Sequence, residues 1–221
     1  MQIVVIAKEP LPGRVKTRLC PPCTPNEAAA IAAAALSDTL ATVAATVATR
    51  RVVALDGTAG PWIPDAFEVI DQRSGDLADR LHGAFEDCFE VSDEPVMLIG
   101  MDTPQVSVEV LAEAARAFDT GADAVIGLAP DGGYWLVALR HLHPQAFVGV
   151  PMSADDTGAL QIERLRECGY RVALTQALRD VDDADDARAI AAQIPGSRFS
   201  AAVASAQLSE EQLATTAARV S

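Results

Sequence analysis

Lysine is scarce in this chain: of 221 residues only Lys8 and Lys16 are lysines, and every other basic residue is arginine. Basic residues as a class are outnumbered, 17 against 31 acidic ones, for a formal charge of −14. A surface so acidic repels a phosphate backbone, which argues against general nucleic-acid binding. Long apolar runs are missing too. The opening "MQIVVIAKEP" has no basic stretch, and its apolar run from Ile3 to Ala7 is shorter than a signal-peptide core. The Ala-rich stretch from Ala28 to Leu36 is broken by Ser37-Asp38 and falls short of the roughly 20 residues that span a bilayer. The expectation is a cytoplasmic protein with no membrane insertion, whose four cysteines stay mostly reduced. There is no second Cys-x-x-Cys to complete a zinc site with Cys20 and Cys23, since Cys88 and Cys168 stand alone.

What is present is enough apolar residue, 50% of the chain, to bury a substantial core. Short β-branched runs alternate with helical patterns, the signature of an α/β fold with a mostly parallel sheet flanked by helices. "QIVVIA" reads as the first strand. Thr24-Pro25-Asn26-Glu27 combines an N-cap, a helix-start proline and a capping-box glutamate, so a helix runs from about Pro25 to about Thr49. Strands follow at 51–55 and 67–70. Asp76 caps a helix whose stripe is Leu77, Leu81, Phe85 and Phe89. "PVMLIG" reads as a buried central strand ending at "MDTP". Val106 and Leu111 staple a helix that begins at Ser107 and reaches about Phe118. "ADAVIGLA" and "YWLVALR" are strands on either side of the turn "PDGG". A helix over 153–168, the strand "YRVALT" and a helix over Ala184–Gln193 complete one domain, residues 1–194. Residues 195–221 read as a linker, "PGSRFS", and a C-terminal helix stapled by Leu208 and Leu213.

In open α/β sheets ligands bind beyond the carboxyl ends of the strands, which gives most weight to the residues just after them. Both lysines, with Arg14 and Arg18, fall in the loop after the first strand. A compact ammonium suits a polyphosphate, and Gly13 lets the backbone come close to a ligand. The loop is not a Walker A motif, which would need glycine where Pro10 and Val15 stand. Cys20-Pro-Pro-Cys23 lies several residues ahead of the next helix, without the dipole that favours a reactive thiolate. Asp102 and Asp182 each follow a strand. Two carboxylates at adjacent strand ends can hold Mg²⁺, and equally well one can start a turn and the other cap a helix.

The segments "AKEPLPGRVKTRL", "LIGMDTP", "APDGGYWLVAL" and "DVDDADD" together resemble, in order, the motifs of a bacterial family of glycosyltransferase-A-like proteins. That family is similar to phospholactate guanylyltransferase and, more distantly, to molybdenum-cofactor guanylyltransferase and the sugar cytidylyltransferases. The resemblance spans about residues 1–194. It implies a single nucleotide-diphospho-sugar-transferase fold with a bound Mg²⁺ or Mn²⁺. By that resemblance Ala7, Lys8, Gly13, Lys16 and Arg18 hold nucleotide phosphates, and Asp76 and Arg80 lie near base and ribose. Asp102 and Asp182 are the metal ligands, and Asp131, Gly132, Gly133 and Tyr134 form the acceptor-side turn. Lys16, Asp102 and Asp131 are the expected catalytic residues. "CPPC" and "VDDADD" depart from the family pattern, and neither change removes an expected ligand. The expected partners are a nucleotide or nucleotide sugar and a small acceptor, and a homodimer stays open. The leading expectation is glycosyl transfer; nucleotidyl transfer with pyrophosphate release and a non-catalytic nucleotide-binding role are its rivals.

Overall fold

The computed structural model describes residues 1–152 and 154–206. Seven strands form one sheet: β1 (Gln2–Lys8), β2 (Arg50–Asp56), β3 (Glu68–Asp71), β4 (Val96–Gly100), β5 (Ala124–Leu128), β6 (Tyr134–Leu139) and β7 (Val172–Leu174). Their spatial order is β3-β2-β1-β4-β6-β5-β7. Every pairing is parallel except the two made by β6, which runs against both β4 and β5. The carboxyl ends of the six co-directional strands therefore share one edge with the beginning of β6.

Helices cover both faces. Alternation along β1 sends Ile3, Val5 and Ala7 to a core shared with Leu36 and Leu40 of α1 (Pro25–Ala45) and Leu111 of α3 (Val108–Arg116). Val4 joins the opposite core with Leu81 and Phe85 of α2 (Leu77–Val91) and Leu165 of α4 (Thr157–Glu167). This is the period-two division of a strand between two covered faces. The helix starts expected at Thr24, Asp76 and Ser107 are each found at their caps. Thr24 and Glu27 close a reciprocal capping box on α1, Asp76 and Asp79 close another on α2, and Ser107 accepts from the Val110 amide between buried Val106 and Leu111.

Several expectations need correction. α1 ends at Ala45, not near Thr49, because the Thr49 amide is already bonded to the Met1 carbonyl, aligning β2 beside β1. This helix is long and apolar enough, at a hydropathy of 1.6, to cross a membrane by length and composition. The Ala28–Leu36 stretch had suggested otherwise; half of that apolar window is buried in the fold. α4 begins at Thr157, four residues later than the pattern suggested, because the Thr157 hydroxyl is engaged by the Pro151 and Ala154 carbonyls of the preceding turn. Leu77, expected in the core stripe of α2, is 44% exposed.

The expected linker after Pro195 is a helix instead. Ser197 caps α6 (Arg198–Ser205), and the Phe199 amide donates to Asp38 of α1 at 2.8 Å. Phe199 and Val203 complete a third core with Ile31 of α1 and Ile190 of α5 (Ala184–Gln193). The helix expected around Leu208 to Leu213 lies outside the described residues.

Candidate active site

A cleft of about 840 Å³ opens at the carboxyl edge of the sheet. Four stretches build it: the loop after β1, the first turn of α2, the residue run after β4, and the β5–β6 turn with the entry to α4. A fifth comes from an extended strap between β7 and α5. β7 sits at the far edge of the sheet, so Asp182 does not follow a strand adjacent to β4. The strap carries it back instead. Thr175 and Leu178 donate to the carbonyls of Ile126 and Leu128 on β5, the Trp135 indole donates to Gln176, and Val181 donates to the Asp102 carbonyl at 2.9 Å. That last bond brings the segments of Asp102 and Asp182 together.

The loop after β1 places its cations against acids of these other segments. Lys16 has a left-handed backbone, with φ of 48°, at the start of a 3₁₀ turn (Thr17–Leu19). Its ammonium lies 2.8 Å from Asp102 Oδ1 and donates to the Val181 carbonyl. With three donors the ammonium can serve both the Val181 carbonyl and the buried Asp102 Oδ1. Arg18 pairs with Asp182 at 2.8 Å. Arg14 and Arg80 converge on Asp56, at 3.7 and 3.3 Å. Ala7 and Lys8 line the cleft at the end of β1. Gly13 has φ of 75° and open space where a Cβ would stand, so its need is for the turn conformation, not for close approach. Asp76 is engaged in the α2 cap, and the side chains that α2 turns to the cleft are Leu77, Arg80 and Leu81.

On the other side, Asp131 Oδ1 accepts from the Gly133 amide at 2.9 Å, fixing the carboxylate over the turn. Asp131, Gly133 and Tyr134 line the cleft. Gly132, with φ of 91°, serves the chain itself: a Cβ there would stand 1.7 Å from the Asp155 carbonyl oxygen. Its own carbonyl accepts from Gly158 at 2.7 Å, docking the turn on the start of α4.

The acids gather differently from the expected pair. Asp131, Asp180 and Asp182 offer ligand oxygens within 4.8 Å of one another, and Asp102 is not in that group. Burial, then the charges of Asp131 and Asp182, push the Asp180 carboxyl up to about 6. Sequence reasoning passed over Asp180. Its signal was the alternation Asp180-Val181-Asp182 on an extended segment: Val181 is fully buried, so its two neighbours face the other way, into the cleft. Of the remaining aspartates in that run, Asp183 and Asp186 close the capping box of α5, and Asp185 pairs with Arg188.

The cysteine pair takes no part. Cys23 is buried with Leu19 and Ile31, its thiol pushed up by burial, and both Cys20 and Cys23 are free. His141 stacks on Tyr170 at 4.8 Å, with the Tyr170 hydroxyl donating to the His141 carbonyl, as an ordinary strand end would.

Solved structures share this architecture. A Desulfovibrio desulfuricans G20 protein, provisionally assigned as a nucleotide-diphospho-sugar transferase, superposes with a TM-score of 0.83 at 24% identity, covering 92% of this chain and 94% of that one. The 2-C-methyl-D-erythritol 4-phosphate cytidylyltransferase of Thermus thermophilus aligns at 0.53 and 18% identity, over 94% of this chain and all of that one. A CMP:2-keto-3-deoxy-manno-octonic acid synthetase solved with CTP aligns at 0.51 and 14% identity, over 86% and 98%. These likenesses establish a nucleotide-diphospho-sugar-transferase fold. None of the curated proteins matches the chain. Over residues 32–154, more than half its length, the sequence matches the family described as "Uncharacterized protein conserved in bacteria (DUF2064)", and the chain belongs to that family.

Proposed function

We propose that the protein is a metal-dependent transferase using a nucleotide-linked donor, and that it passes the glycosyl group of a sugar nucleotide to a small acceptor. The observation that carries this reading is the facing of Lys8, Lys16 and Arg18 against Asp102, Asp131, Asp180 and Asp182 across one cleft at the sheet's carboxyl edge. Cations on the first loop suit a diphosphate, and the acids opposite suit a hard divalent ion.

The residues fit Mg²⁺ or Mn²⁺. The donors are carboxylate oxygens within 4.8 Å of one another, and burial, then the charges of Asp131 and Asp182, raises the Asp180 carboxyl, a cost that a cation would relieve. Asp180 and Asp182 would hold the ion, which when bound supplies charge neutralisation for the phosphate chain, and Asp131 beside them is left to the acceptor. The chain's own residues position the reaction. Lys16, only 8% exposed, presents its ammonium to the oxygens of the departing nucleoside diphosphate. Arg18 and Lys8 hold the same phosphates from the loop. Asp131, anchored by the Gly133 amide, orients the acceptor hydroxyl and takes its proton as that oxygen bonds to the anomeric carbon. The bond from that carbon to the diphosphate breaks, and the electron pair leaves with it.

One observation favours nucleotidyl transfer as a second reading: Lys8, Arg14, Lys16, Arg18 and Arg80 all line the cleft, enough charge for a triphosphate. Product analysis separates the two. The protein is incubated with sugar nucleotides or nucleoside triphosphates, Mg²⁺ or Mn²⁺, and a pool of small acceptors. We expect nucleoside diphosphate from a sugar nucleotide. Pyrophosphate arising only with a triphosphate moves the assignment to nucleotidyl transfer, and tight nucleotide binding with neither product makes the protein a non-catalytic binder.

A further inference from the structure

We infer that Arg18 is an exchangeable counter-ion: it neutralises Asp182 while the cleft is free of ligand and passes to the phosphate chain when a divalent ion takes its place, so that metal and phosphate bind as a linked pair. This deepens the proposed transferase reading and rests on it. The inference comes from the different ways in which the two cations at the 3₁₀ turn are held. Lys16 is fixed. Its side chain is 8% exposed, and its ammonium contacts both Asp102 and the Val181 carbonyl. Val181 in turn donates to the Asp102 carbonyl, which closes the contact into a triangle between the loop and the strap. Arg18 has no such frame. Its side chain is 76% exposed, and among the described residues its polar contact is a single one, to Asp182 Oδ2 at 2.8 Å. The backbone is anchored on either side, by Lys16 before it and by fully buried Leu19 after it, so the guanidinium can turn without moving the loop.

What Arg18 holds gives the exchange its consequence. Asp182 is one of the three acids whose oxygens lie within 4.8 Å of one another, and among the described residues it is the one of the three with a cation in contact. Arg179, which lines a smaller cavity against the same acids, is held by Asp186 at 2.8 Å. A divalent ion on Asp180 and Asp182 would put two positive charges beside the Arg18 guanidinium, and like charges at that range repel. Released from its carboxylate, an arginine offers a planar fork of donors matched to phosphate oxygens. Arg18 lines the cleft with Lys8 and Lys16, so the proposed phosphate position lies within the sweep of its side chain. The sign of the coupling follows. Metal alone must displace Arg18, and phosphate alone must draw it away and leave Asp182 without a counter-charge. Bound together, each ligand removes the cost that the other would meet.

Binding measurements on the full chain test this without an assay of turnover. The protein is stripped of metal and titrated with Mn²⁺ alone, the free ion being read from its electron paramagnetic resonance signal. Arg18→Gln should bind Mn²⁺ about two- to fivefold more tightly than the parent, the worth of one solvent-exposed ion pair. Arg14→Gln removes a cation of the same cleft that faces Asp56 instead, and should stay within about 1.5-fold of the parent. The reciprocal titration follows inorganic tripolyphosphate by calorimetry in the presence of a chelator. Asp182→Asn should bind it more tightly than the parent by a similar factor, and the gain should disappear in the Arg18→Gln background, where no guanidinium is left to release. Equal Mn²⁺ affinity in the parent and Arg18→Gln overturns the inference. An Arg14→Gln effect as large as that of Arg18→Gln also overturns it, as does a gain from Asp182→Asn that survives in the double variant, because either result reduces the coupling to the general field of the cleft. Failure of the parent to bind Mn²⁺, with or without tripolyphosphate, ends the metal-dependent transferase reading and the inference with it. Mn²⁺ binding that is indifferent to Arg18 ends the inference alone.

Discussion

At the scale of single residues, Lys16 and Asp180 separate the roles of the two sides of the cleft. Lys16 is nearly buried between a carboxylate and a carbonyl, and it is the cation that the first loop carries deepest. Lys16→Ala should weaken nucleoside di- or triphosphate binding by about 10- to 100-fold, the value of one or two charge-assisted hydrogen bonds. Calorimetric titration measures this. In the same assay Cys20→Ser with Cys23→Ser should leave affinity within about twofold, although the buried Cys23 position costs about 1 kcal/mol of stability when a hydroxyl replaces the thiol. An affinity loss in the double cysteine variant matching that of Lys16→Ala would refute the division of roles. For Asp180, replacement by Asn removes charge from a crowded acidic cluster and, on the proposed reading, one of the carboxylates that would hold the ion. In chelator-treated buffer Asp180→Asn should unfold at the same temperature as the parent or higher. With millimolar Mg²⁺ or Mn²⁺ the parent should gain a larger thermal shift than the variant. A variant that is less stable without metal and equally responsive to it would place Asp180 in a purely structural part.

At the scale of elements, two glycines with similar backbone angles have different reasons to be glycine, and mutation should tell them apart. Gly13 has positive φ and an empty neighbourhood, so Gly13→Ala costs only the left-handed backbone, about 1–2 kcal/mol. Gly132→Ala adds a collision with the Asp155 carbonyl and must push the β5–β6 turn off α4. Chemical denaturation should therefore show the larger loss at Gly132, and a smaller loss there than at Gly13 would contradict the packing described. The edge strand β7 carries a pH-dependent element. Asp123, beside β5, takes the Arg171 guanidinium and backbone amide, which hold its carboxyl down at about 2. A carboxyl depressed on folding stabilises above its ordinary value near 3.9, and that contribution is lost as pH falls toward 2. The group is close to solvent, so its worth is at most about 1 kcal/mol. Asp123→Asn should be less stable than the parent at pH 7, and the gap should shrink by pH 3; a gap that widens on acidification contradicts the assignment.

At the scale of the whole molecule, the elements were legible because each rests on local chemistry. The Thr24–Glu27 and Asp76–Asp79 boxes start helices wherever the chain goes, and the "VMLIG" run is apolar on both faces because both faces are covered. That most of the basic loop, Asp102 and the Asp131 turn line the cleft was legible for a related reason: clefts in such sheets open beyond the carboxyl ends of the strands. What local chemistry does not encode is the path between elements. The "PDGG" turn marks β5 and β6 as an antiparallel hairpin, but the chain gives no local mark that β6 lies between β4 and β5, nor that the strap after β7 runs back across the edge. That path decides which of five aspartates between Asp180 and Asp186 enter the cleft and which cap α5. It also decided against a free linker at 195–200, where Phe199 packs on α5 just before it and on α1, which lies far from it in sequence.

The reversal of β6 bears on how such a protein diversifies. Because that strand begins where its neighbours end, the wall proposed to face the acceptor is written largely in one stretch, from Asp131 to Thr157, while the loop and helix proposed to hold phosphates come from the separate stretches 7–18 and 72–81. Selection can therefore rewrite one half of the reaction as a cassette, by drift or recombination within about thirty codons, without disturbing the other half. A lineage built on this scaffold would keep its donor while sampling acceptors, and its members would differ most sharply in the hairpin tip and the run that follows it.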